Sequence, residues 1–161
     1  MSLLSNFLRK LFGGNNKPQV QPPKTENNYI GRWEQEREKR IKDAESRLKD
    51  WLIATVKEKE SLPFTWTSGG DEAFVTFEDK TDAEEDNFQE LEEYIVDKLD
   101  IPDAGEFEMN GSGTIYLQDN LIKAKYSSVM KGIDDYDEET DQVIYSQDEV
   151  RDSDNKTLFS V

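Results

Sequence analysis

The sequence predicts an α+β fold: a small antiparallel β-sheet with a long N-terminal helix and one helix between hairpins. Three observations carry this. Residues 29–61 place apolar side chains every three or four positions, the period of a helix. Residues 64–79 and 106–126 alternate apolar and polar side chains around glycine-containing turns, the pattern of hairpins. Between them, residues 82–99 return to helical spacing. Strands that follow one another through tight turns pair antiparallel.

At the start of the chain, Leu3, Leu4, Phe7, Leu8, Leu11 and Phe12 share one face of a predicted helix over residues 1–12, with Arg9 and Lys10 away from it. Gly13-Gly14 ends it. A helix this short is marginal alone in water, so it is expected to form against another surface. Three surfaces suit it: a groove on a partner protein, an anionic membrane surface, or the chain's own core. Residues 13–28 are rich in Gly, Asn, Gln and Pro and read as linker. In the long helix, Ile30, Trp33, Ile41, Ala44, Leu48, Trp51, Leu52 and Val56 form the stripe, which narrows near Gln35–Lys39, so the first turns are expected to project into solvent. Pro63 marks the expected stop.

Phe64 and Trp66 alternate with Thr65 and Thr67, Ser68-Gly69-Gly70-Asp71 supplies a turn, and Phe74 and Phe77 lie on the return strand. Asp82 and Glu85 have the spacing of a capping box. Phe88, Leu91, Tyr94, Ile95 and Leu99 then form an apolar stripe backed by an acidic face that includes Glu84, Glu85, Glu92 and Glu93. Asn110-Gly111-Ser112-Gly113 is expected to be a second turn, between strands 106–109 and 114–118, with a further strand at 121–126. Residues 132–161 read as an acidic tail, in which Val143-Ile144-Tyr145 and Leu158-Phe159-Ser160-Val161 suit either an edge strand or short linear motifs. The organisation predicted is a docking peptide (1–14), a flexible linker (15–28), an α+β domain (29–131) and the tail (132–161). Trp33, Trp51, Trp66, Phe77, Phe88, Leu91 and Ile95 are the predicted core anchors.

Charge divides the same way. Residues 1–25 hold four basic side chains and no acid, residues 26–61 hold nine of each sign, and residues 62–161 hold seven basic and 27 acidic ones, giving +4, 0 and −20. A body of −20 repels phosphate, so no direct nucleic-acid contact is expected. The chain has neither Cys nor His. That excludes disulfides, thiolate metal sites and thiol catalysis, and removes the commonest general base and zinc ligand. Carboxylates are so numerous that a catalytic pair cannot be picked out by spacing, and the glycine turns precede strands rather than the helix N-termini that cradle phosphate. Counted from Asp135, a calcium-binding helix–loop–helix would need Gly at 140 and Glu at 146, where the chain has Thr140 and Ser146. The expectation is therefore a non-enzyme with no cofactor and no metal site. No apolar run approaches the length of a membrane span, and Arg9-Lys10 interrupts any secretory signal, so the cytoplasm is the expected compartment, with attachment at the periphery of a membrane or assembly.

Ser68-Gly69-Gly70-Asp71 followed by Phe74-Val75-Thr76-Phe77, a helix, and then Asn110-Gly111-Ser112-Gly113-Thr114-Ile115-Tyr116 resembles a family of small acidic domains from bacterial and phage genomes. Its members carry a Ser-Gly-Gly-Gly-Asp-Ser-Gly-like turn and a later Asn-x-Gly-x-x-Gly-like turn. The similarity spans about residues 64–126, with one glycine fewer in the first turn and Glu72-Ala73 where small residues are usual. It implies a compact α+β unit and no particular chemistry.

The function expected is that of a binding or adaptor protein. It would dock to a larger protein assembly through Leu3, Leu4, Phe7, Leu8, Arg9, Lys10, Leu11 and Phe12 and present an acidic body. Two alternatives follow from the same residues: an acidic inhibitor, immunity-type or DNA-mimicking, that occupies a basic site, and an accessory protein attached to a membrane surface through residues 1–12.

Overall fold

The computed structural model of the chain describes residues 26–161. Two helices and five strands follow one another: α1 (Glu26–Lys59), β1 (Ser61–Gly69), β2 (Glu72–Phe77), α2 (Glu85–Leu99), β3 (Phe107–Gln118), β4 (Leu121–Asp137) and β5 (Gln142–Ser160). The strands form one sheet in the order β2-β1-β3-β4-β5, antiparallel throughout. This is the expected α+β class. Both helices pack on one face of the sheet, and no described helix covers the other.

Helix α1 begins three residues earlier than the periodicity suggests. Lys57 and Lys59 complement the partial negative charge of its last turn. The helix stops at Glu60, which takes a left-handed φ of 67°, so one residue turns the chain into β1. Pro63 does not stop the helix. It lies inside β1, opposite Thr114 of β3 and before β2 begins to pair at Phe64, where a missing N–H on the β2 side costs no ladder bond.

The core is built from alternate positions of each strand. Leu62, Phe64 and Trp66 of β1, Val75 and Phe77 of β2, Ile115 of β3 and Ile122 and Ala124 of β4 point at the helices. Leu48, Leu52 and Val56 of α1 and Phe88, Leu91, Ile95 and Leu99 of α2 meet them. Burial of each large apolar side chain stabilises the fold by about 1.5–3 kcal/mol. Trp66, Phe77, Phe88, Leu91 and Ile95 are buried as expected, and Trp51 is half-buried against Phe88, edge to face at 5.2 Å. Trp33 is not a core anchor. It is 48% exposed, because α1 runs past the sheet before its stripe finds anything to cover, and Arg37 stacks over its ring.

Three further sequence expectations change. First, Asn110-Gly111-Ser112-Gly113 is no turn: β3 runs unbroken through it, paired with β1 and β4 at every position. The two glycines serve a packing role. A Cβ at 111 would sit 2.0 Å from the Trp66 ring, and one at 113 would sit 2.5 Å from that of Phe64, so the two rings lie flat across bare backbone. Second, residues 132–161 are not a tail: they are the end of β4 and all of β5. Third, Asp82 and Glu85 form no capping box. A 3₁₀ turn, Asp82–Glu84, precedes α2 without a side-chain cap, and Thr81 bonds Glu84 instead, at 3.2 Å.

The turns obey ordinary backbone rules. Gly70-Asp71 and Asp119-Asn120 both have positive φ at each of two residues, the hairpin turn whose twist matches paired strands. At the end of α2, Asp100 takes a left-handed φ of 57° while its N–H and that of Ile101 donate to Asp97 and Val96, closing the helix in a Schellman motif.

Candidate interaction surface

The residues expected to form the docking peptide, Leu3, Leu4, Phe7, Leu8, Arg9, Lys10, Leu11 and Phe12, lie outside the described residues. The expected acidic surface lies within them, but it is not one patch. Glu84 is half-buried, and its carboxylate accepts hydrogen bonds from Trp51 Nε1 at 3.0 Å and from Thr81, which ties the start of α2 to α1. Glu85 faces solvent one residue later. Glu92 pairs with Lys80 at 3.3 Å. Glu92 and Glu93 line a groove of about 630 Å³ between α1, α2 and β2.

That groove is electrically tied to itself. Arg40 of α1 holds Asp97 with two 2.9 Å bonds, and Arg47 holds Glu90. The hydrogen bond to Asp97 raises the pKa of Arg40 further. Deeper in, the Tyr94 hydroxyl and Lys98 both donate to Glu45, at 3.0 and 2.6 Å, and burial pushes the Tyr94 hydroxyl strongly upward. These contacts tie α2 to α1.

A second surface lies on the far side of the sheet. Register places Thr76, Thr65, Ser112, Ser127 and Ser153 in one row across all five strands, each exposed. The next row, Phe74, Thr67, Asn110, Val129 and Arg151, begins with a phenylalanine that is 58% exposed.

Three residues beyond this row, past Gly132, β4 and β5 leave the sheet. β3 begins at Phe107, opposite Gly132. From Ile133 to Tyr145 the two strands therefore form a ribbon that no third strand joins among the described residues; the turn 138–141 connects them, and there Asp137 accepts the N–H groups of Glu139 and Thr140. The ribbon exposes Tyr136 (49%), Val143 (38%), Ile144 (46%) and Tyr145 (38%). Tyr136 is paired with Val143, and Ile133 with Tyr145. Strand alternation puts Val143 and Tyr145 on one face of the ribbon. That face continues into a depression of about 470 Å³ lined by Phe74, Thr67, Asn110, Glu108, Ile133 and Tyr145.

Two links hold the base of the ribbon. The Ile133 N–H donates to the Glu106 carbonyl at 3.1 Å, and the Tyr145 hydroxyl donates to the Glu108 carboxylate. That bond, with a second from Asn110 at 2.9 Å, holds the Glu108 carboxyl below the usual range, and the same bond raises the Tyr145 hydroxyl. Residues 133–145 contain Asp134, Asp135, Asp137, Glu138, Glu139 and Asp141 and neither Lys nor Arg. The ribbon is thus both strongly acidic and a place where large apolar side chains meet water. Val143-Ile144-Tyr145 stood out in the sequence as an apolar cluster. Its pairing with Ile133–Tyr136 depends on a bulged register that no local pattern announces.

Among the described residues no group of three or more acidic side chains is arranged to hold a metal ion. No described helix is long and apolar enough to cross a membrane. Compared with protein-family models, with curated proteins and with solved structures, the chain matches none of them.

Proposed function

We propose that this protein is a non-catalytic adaptor. It docks to a larger protein assembly through the amphipathic residues 1–12 and presents its acidic body, ribbon foremost, to a second partner or to solvent. The observation that carries the reading is the division of charge along the chain, +4 over residues 1–25 against −20 over residues 62–161, with a polar linker between the basic segment and the folded body. A short apolar face with Arg9 and Lys10 suits a groove rimmed by acids, and a Gly- and Pro-containing linker lets the segment reach a site that the body does not touch.

The test is co-purification from the native source. Tagged full-length chain is compared with a chain lacking residues 1–14, both checked for the same far-UV circular dichroism and thermal transition. Loss of a stoichiometric partner on deletion supports the reading, and retention of that partner overturns it. The ribbon's six unopposed acids favour a second reading, in which the body occupies a basic site on another protein as an inhibitor. That mode gives association rates that fall steeply with ionic strength. A partner bound as tightly at 0.5 M salt as at 0.05 M counts against it.

A further inference from the structure

The β4–β5 ribbon is an unusual thing for a protein to leave in water. A two-stranded hairpin is marginal by itself, because it has one ladder and no packed face. Here, among the described residues, no strand pairs with either outer edge beyond Ile133, and Tyr136, Val143, Ile144 and Tyr145 are all more than a third exposed. Six acids with no Lys or Arg within the ribbon add mutual repulsion. A cover that brings apolar side chains and positive charge together would relieve both faults.

The chain carries such a segment outside the described residues. We infer that residues 1–12 fold back and lie on the ribbon and on the depression at its base, with Leu3, Leu4, Phe7, Leu8, Leu11 and Phe12 against Phe74, Ile133, Tyr136, Val143 and Tyr145. Arg9 and Lys10 are then carried close to a ribbon that holds six acids and no base. As a helix, twelve residues span about 18 Å. That matches the roughly 17 Å covered by five residues of strand at 3.3–3.4 Å each, the reach of Ile133–Asp137.

The connection allows it. Arg37 of α1 is paired with Asp100. Eleven residues separate it from Glu26, about 16 Å of helix. From Asp100 the loop to Glu106 extends at most about 20 Å, and Glu106 bonds Ile133 at the ribbon base. The thirteen residues 13–25 reach about 45 Å when extended. The same charges argue against the exposed start of α1 as the seat, since residues 30–41 carry acids and bases together.

The inference rests on the reading of residues 1–12 as a docking segment. It adds that the segment is held by the chain's own ribbon until a partner competes for it.

The chain has no Cys, so Asn6→Cys, on the polar face of the segment, takes a single spin label in the full-length protein. Amide resonances of residues 133–145 and of Phe74 are expected to broaden, with recovery at 0.5 M salt. They are also expected to recover when the six ribbon acids are replaced by Asn or Gln. In the same full-length chain, trypsin cleavage after Arg9 and Lys10 is expected to quicken at least tenfold on that neutralisation. Broadening confined to α1, or absent altogether, overturns the inference. So does broadening that appears only when labelled and isotope-enriched copies are mixed, which would place the segment on a second copy. An unbroadened ribbon together with loss of the partner on deleting residues 1–14 would sink this inference and leave the adaptor reading standing.

Discussion

Gly111→Ala tests the packing at the centre of the sheet. The added Cβ would lie 2.0 Å from Trp66 Cζ2 and 2.1 Å from Cε2, where ordinary contact is 3.4–4 Å, so the ring must retreat by about 1.5 Å. It has nowhere to go. Trp66 is buried, stacked on Phe64 at 6.0 Å and set edge-on to Tyr126 at 5.9 Å. Overpacking a filled core costs roughly 1–3 kcal/mol, and a ring hemmed on two sides belongs at the upper end, about 3 kcal/mol. Gly111 is not among the glycines with positive φ, so backbone strain contributes nothing. Urea denaturation followed by far-UV circular dichroism reads the loss as a lower midpoint at unchanged slope. Ser112→Ala, one residue on and facing solvent, should stay within about 0.5 kcal/mol of the parent. The double variant Trp66→Leu with Gly111→Ala should lose less than the sum of its parts by at least about 1 kcal/mol, because removing the ring makes room for the methyl. A Gly111→Ala variant within 0.5 kcal/mol of the parent, or strict additivity in the double variant, would refute the idea that the glycine exists for the ring.

Two further outcomes follow from the geometry. Burial, reinforced by the charges of Asp154, Asp152 and Asp100, pushes the Tyr126 hydroxyl from its ordinary value of 10 up to about 12. A hydroxyl that holds its proton more tightly when folded stabilises the fold fully below pH 10. That contribution is lost as pH rises toward about 12. Urea midpoints measured across that window should fall, and Tyr126→Phe should flatten part of the fall; an equal fall in the variant would refute the assignment. At the end of α2, Asp100 combines a left-handed φ of 57° with its ion pair to Arg37. Asp100→Ala should therefore destabilise more than Asp100→Gly, by about 1 kcal/mol, since both lose the pair but only Ala opposes the backbone conformation. The reverse order in thermal or urea unfolding would show that the φ is not maintained.

The legibility of this chain in its sequence varied element by element. Both helices were readable because their apolar stripes repeat within the helix itself. Leu48, Leu52 and Val56, and likewise Phe88, Leu91 and Ile95, announce a buried face without reference to any partner. The first hairpin was readable because Gly69-Gly70-Asp71 sits between alternating strands. Asn110-Gly111-Ser112-Gly113 failed for an instructive reason. Glycine permits a turn, and it also permits a neighbour to approach closely. Which of the two applies depends on Trp66 and Phe64, more than forty residues earlier. Trp33 failed because periodicity says which face a side chain shares and not whether anything lies beneath it. Of the candidate surface, the acidity of Glu84, Glu85, Glu92 and Glu93 was legible, but their separate fates in a tether to Trp51, an ion pair with Lys80 and an open groove were not.

The sequence by itself determined the class of the fold, its two helices, its first hairpin and the strong separation of charge, because each depends on near neighbours or on composition. Only the tertiary structure decided that residues 132–161 are sheet. Isolated, that acidic stretch has too few apolar side chains to fold. Paired along β4 and anchored by buried Leu158, it gains a ladder of backbone hydrogen bonds that composition does not record. Past Gly132 the sheet runs out of strands and the ladder continues alone. The ribbon is exposed because β3 begins there, and no residue within the ribbon encodes that fact.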